Sequence, residues 1–84
     1  MRNGNDKASE ISMISHVEQV DLSSQYTASV PVNIKNQTDT NITLSVMLWD
    51  DDKFVDLVFY PGWNPEIVKS VRPSADVESI IVGW

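Results

Sequence analysis

The chain has 84 residues, 42% of them hydrophobic, with 12 Asp and Glu against 6 Lys and Arg, a net charge of -6 and no cysteine. That length holds one small domain and excludes a multidomain enzyme. The basic residues Arg2, Lys7, Lys35, Lys53, Lys69 and Arg72 are scattered through an acidic chain, which argues against a nucleic-acid partner.

A domain of this size hides only about 60% of the surface its unfolded chain exposes, a thin margin against backbone entropy. Small domains find support in disulfides, a structural metal or oligomerisation. Without cysteine and with His16 as the single histidine, sulfur cross-links and a zinc site of nitrogen and sulfur ligands fall away. Association with copies of itself or with a larger surface is the remaining route, and no cofactor is expected.

Residues 1–10 hold no apolar h-region of a secretory signal, and no later run approaches the roughly 18 apolar residues of a membrane helix, so no membrane partner is expected. The sequons at Asn36 and Asn41 are therefore read as chance. The same ten residues are rich in Asn, Asp, Lys and Ser, the composition of a flexible arm. From Ile11 to Leu22 the pattern supports two readings. Ile11, Ile14, Val17 and Val20 recur every three residues and Ser15-x-x-Glu18 matches a capping box, which suggests a short helix; an irregular docking arm fits as well. Ile11, Met13, Ile14 and Val17 are the candidate docking residues, with local cover of the domain's own core as the alternative. Residues 1–25 are thus set apart as an arm and 26–84 as a single β domain.

From Tyr26 the period becomes two. Val30, Val32 and Ile34 alternate with polar or proline partners, the pattern of a strand with one buried face. Pro31 lacks a ladder N–H, which places the strand at a sheet edge or turns that position away from its partner. Gln37 to Thr40 supplies turn residues. Asn41 to Trp49 then puts Ile42, Leu44, Val46 and Leu48 on one face and Thr43, Ser45, Met47 and Trp49 on the other, so its end should be covered on both sides. Asp50-Asp51-Asp52-Lys53 is a loop tip, and Phe54 to Tyr60 is a third strand, largely buried at its end. These strands are expected to pair in sequence as a three-stranded meander. Pro61-Gly62-Trp63-Asn64-Pro65 stops the ladder as a tight corner. Glu66 to Val71 is a fourth strand, Pro73 to Asp76 a turn, and Val77 to Trp84 a fifth strand. Five short strands separated by turns predict an all-β fold, a small antiparallel sandwich or open barrel.

Candidate chemistry is sparse. Asp50-Asp51-Asp52 with Asp56 offers hard-cation oxygens, but the spacing fails the EF-hand pattern at Val55 and Pro61, and a solvated loop that discourages edge pairing fits better. Whether that loop takes a cation stays open. His16 is the only neutral-pH base among side chains, and it lies in the segment whose conformation is least determined. No enzymatic activity is expected. Trp49, Trp63 and Trp84 are more tryptophans than one small core readily buries with every indole N–H paired, so some should sit at contacts, against the alternative that each lids its own core. Trp63 lies in the proline corner, and Trp84, as the last residue, would fray unless docked.

Phe59-Tyr60-Pro61-Gly62-Trp63-Asn64-Pro65-Glu66-Ile67-Val68, followed by a β segment that finishes Val82-Gly83-Trp84, resembles small virion proteins of tailed phages of gut bacteria. The likeness covers roughly the last two thirds of the chain. It implies a β-rich homo-oligomer, commonly a trimer, that decorates the capsid or forms the base of head fibres or spikes. The arm would then attach to capsid or head-fibre proteins, with Trp49, Tyr60, Pro61, Trp63 and Trp84 at subunit contacts. The expected location is the virion, after synthesis in the host cytoplasm. Two other readings stay open: a monomeric β module that binds a glycan or peptide through exposed tryptophans, and a small acidic inhibitor of a host protein.

Overall fold

The computed structural model describes residues 14–84 as an antiparallel β structure with no helix among them. Seven strands follow in order: β1 (Val17–Asp21), β2 (Tyr26–Asn36), β3 (Ile42–Leu48), β4 (Val55–Phe59), β5 (Gly62–Trp63), β6 (Val68–Val71) and β7 (Ser79–Gly83). The expected all-β fold holds. The sheet runs β1-β7-β2-β6-β3-β4 and does not close, and β5 pairs with β2 off this path.

The long strand β2 folds this sheet into two layers. Its first part pairs with β6 at Tyr26↔Val71, Thr27↔Ser70 and Val32↔Val68. Its last part pairs with β7 through Asn33↔Gly83 to Lys35↔Ile81, and with β5 through Lys35↔Trp63 and Asn36↔Gly62. One half therefore holds β1, β7 and β5, and the other holds β6, β3 and β4. Between them lies a core of Val20, Leu22, Val32, Ile34, Leu44, Val46, Phe59, Val68, Val71, Ile80 and Val82, all buried. Each such side chain contributes about 1.5–3 kcal/mol by leaving water.

Several expectations are corrected by this topology. The meander does not form: β3 and β4 pair as a hairpin from Ile42↔Phe59 to Val46↔Val55, but β6 lies between β2 and β3. The link from Gln37 to Asn41 is a corner between layers, because the end of β2 belongs to the β7 half and β3 to the β6 half. Short polar links look the same in sequence whether they close a hairpin or carry the chain across a sandwich.

Residues 17–21 are neither helix nor irregular arm. Val17 to Asp21 pair with Gly83 to Ser79 along the whole of β1, and Leu22 is fully buried in the core. The β domain thus begins before residue 26. Ile11 and Met13, the first of the docking candidates, lie outside the described residues. Val30 was expected inward but is 40% exposed, because the β2–β6 register breaks between Thr27 and Val32 and the extra residues bulge outward. Pro31 falls in the same break. It is tolerated there inside a central strand, since no ladder bond is required of it. The end of β4 is also less covered than expected: Phe59 is buried, but Val58 is 44% and Tyr60 59% exposed, because β4 is the outermost strand of its half.

Candidate interaction site

The corner from Tyr60 to Pro65 is organised by one buried side chain. The Asn64 amide Nδ2 donates to the carbonyls of Tyr60 at 3.0 Å and Gly62 at 3.1 Å, while its Oδ1 accepts from the Tyr60 N–H at 3.0 Å. Its own backbone N–H donates to the Ile34 carbonyl at 3.0 Å, which fastens the corner to β2. Gly62 sits inside this loop at φ +90°, a conformation that L side chains rarely adopt. Two more asparagines complete the fastening. Asn33 Nδ2 donates to the Glu66 carbonyl at 3.0 Å. Asn36, 1% exposed, donates to the carbonyls of Thr40 at 2.8 Å and Phe59 at 3.0 Å, and its Oδ1 accepts from the Thr38 N–H and hydroxyl. A glycan on Asn36 would remove those bonds, so the first sequon is incompatible with this fold.

The corner delivers Trp63 to the outer face of the β1-β7-β2-β5 layer. Pairing aligns Trp63, Lys35, Ile81 and Gln19 in one row, and Asn33, Gly83 and Val17 in the next. These rows share a face, since neighbouring positions of like parity point the same way. Gly83 makes room for what lies above it. A Cβ there would stand 2.6 Å from Trp63 Cη2 and 2.7 Å from Ile14 Cγ2, so both side chains rest on the bare backbone of β7. Ile14 and Val17, read as docking residues, and Trp63, read as a contact residue, thus converge on one surface. Val17 is 62% exposed, and Ile14, Trp63 and Ile81 are half-buried.

Trp84 is docked rather than frayed. Its carbonyl accepts from the Ser15 and His16 N–H groups at 2.8 and 2.9 Å, and its own N–H donates to the His16 carbonyl at 3.0 Å. The His16 and Trp84 rings lie 5.8 Å apart between centroids, and the indole is 39% exposed. Pro61 is exposed and bridges to Asn36, beside the exposed Tyr60. Trp49 belongs elsewhere. It lines a groove with Pro31, Leu48, Pro65 and Ile67, which neither Trp63 nor Trp84 enters.

Asp50, Asp51 and Asp52 are all exposed, and Lys69 Nζ donates to the Asp51 backbone carbonyl at 3.0 Å. Among the described residues no group of three or more His, Asp or Glu side chains is placed to hold a metal ion. Burial, and secondarily the Glu18 carboxylate, push the Tyr26 phenol above its ordinary value of 10.0.

Sequence reasoning found the tryptophans but missed Asn33, Asn36 and Asn64. A polar residue flanked by prolines reads as turn surface, whereas here the amide plugs the turn from inside. Comparison with protein-family models, with curated proteins and with solved structures finds no match.

Proposed function

We propose that the chain is a non-enzymatic structural component of a phage virion that self-associates, as a trimer, and attaches to the capsid surface through capsid or head-fibre proteins. The observation that carries the self-association is the convergence of Ile14, Val17, Trp63 and Ile81 on the outer face of the β1-β7-β2-β5 layer. Outward faces of small sheets ordinarily carry polar residues, and an apolar cluster on such a face, bordered by Gln19 and crossed by Lys35 between Trp63 and Ile81, is the kind that a partner covers. The exposed Tyr60 and Trp84 add aromatic area of the type that anchors interfaces. The attachment to a virion is supported by the likeness of Phe59 to Val68 and Val82 to Trp84 to small phage virion proteins. The two likeness segments form one physical unit here, Trp63 lying on Gly83.

The test is mass photometry and thermal melting over a hundredfold dilution series. A concentration-dependent melting temperature with a defined oligomer is expected, and Val17→Asp should shift the population toward monomer. A monomer whose melting ignores dilution overturns the self-association. Absence of the chain from the proteins of purified particles overturns the virion assignment.

A further inference from the structure

We infer that the groove around Trp49 is a docking site for an extended, basic polypeptide segment of a protein partner, one that carries Arg or Lys next to proline or aliphatic residues. This inference stands apart from the self-association surface, whose residues do not line the groove. Pro31, Leu48, Trp49, Pro65 and Ile67 form apolar walls around a volume of about 440 Å³, and Ile67 is 53% exposed. The groove exists because the ladder fails on both sides of β6. The β2–β6 register breaks between Thr27 and Val32, and the β3–β6 register shifts between Met47 and Leu48. The bulged segment of β2 supplies Pro31 to the lining, and the end of β3, still paired at Leu48↔Val68, supplies Leu48 and Trp49. The Trp49 N–H donates to the Ile67 carbonyl at 2.9 Å, which ties the end of β3 to the residue before β6.

Charge selects the occupant. Asp50 and Asp51 stand at one rim, with both side chains in solvent. The local tally of Asp50, Asp51 and Asp52 against Lys53 and Lys69 leaves one net negative charge, within a chain of net charge -6. A guanidinium or ammonium placed over the Trp49 ring satisfies the indole face and the carboxylates together, while its aliphatic stem and a neighbouring proline fill the space beside Ile67 and Pro65. A sugar fits less well. Its hydroxyls would find acceptors along the acidic rim alone and would face proline and isoleucine elsewhere.

The probe is a fluorescein-labelled decapeptide containing two arginines in a proline-rich frame, titrated against the full chain, with NMR following the Trp49 indole N–H and the Ile67 methyls. Saturable binding that perturbs those signals is expected. It should weaken at least fivefold in Ile67→Ser and in the Asp50→Asn, Asp51→Asn double variant, fall as salt rises, and stay unchanged in Trp84→Ser. Both groove variants alter exposed positions, and an unchanged melting temperature certifies their fold. The inference is overturned by a peptide with glutamates in place of arginines binding as well, by wild-type affinity in the two groove variants, or by no binding at all. A chitooligosaccharide or Ca²⁺ that shifts the same signals while the peptide does not also overturns it. Because oligomeric state is measured separately, failure here leaves the self-association reading intact.

Discussion

At Asn64 a single amide serves three backbone groups of the corner, and its replacement by a side chain without polar atoms leaves these part-buried groups without that partner. Asn64→Ala is therefore expected to cost about 3 kcal/mol in urea unfolding. Asn64→Asp should also destabilise, since a carboxylate facing the Tyr60 and Gly62 carbonyls replaces a donor by an acceptor. Gly62 of the corner and Gly83 of β7 matter for different reasons, which substitution separates. A Cβ on Gly62 meets nothing within 4 Å, so Gly62→Ala carries only the left-handed penalty, about 1–2 kcal/mol. A Cβ on Gly83 collides with Trp63 and Ile14. Gly83→Ala should cost about 1–3 kcal/mol and change the near-ultraviolet circular dichroism of the displaced indole, and Gly62→Ala should leave that signal unchanged.

Strands β2, β3 and β4 were legible in the alternation of apolar residues, and β6 and β7 in the turn residues that bound them. β1 was not. Only Val20 of its five residues is buried, so the spacing of Ile14, Val17 and Val20 imitates a helical period without a helix behind it. β5, with two residues, is too short to have a period. The order of strands was also illegible, since it depends on pairings between distant segments rather than on any local signal. The apolar candidates of the interaction surface were readable as residue types, but their meeting on one face required the β1–β7–β2 register. Pairing with β7 is what holds β1. Deletion of Gly83 and Trp84 removes the acceptor of the Ser15 and His16 N–H groups, so amide exchange of residues 15–19 should accelerate at least tenfold while β3 and β4 keep their protection.

For the molecule as a whole, stability should depend on pH at the alkaline end. The folded state holds the Tyr26 proton above pH 10.0, where the unfolded chain has begun to release it. The unfolded state then binds fewer protons, so the contribution of Tyr26 is fully present below about pH 10 and is lost as pH rises past it. Melting temperature is expected to fall above pH 10, and Tyr26→Phe should flatten that decline. Glu18→Gln should lower the phenol's midpoint in an ultraviolet titration, because it removes the smaller of the two causes of the shift.

The interleaved strand order also governs when the fold can be completed. β7 lies between β1 and β2, and the bond from Ser15 to Trp84 joins residues 69 positions apart. A nascent chain still missing β7 cannot seat β1, and β2 has one flank bare. Closure of this half therefore waits until β7 has emerged from the ribosome. Such distant pairing makes for slow maturation. Chains interrupted before Val82 leave a sticky β2 flank that invites strand exchange with neighbours emerging from the same message.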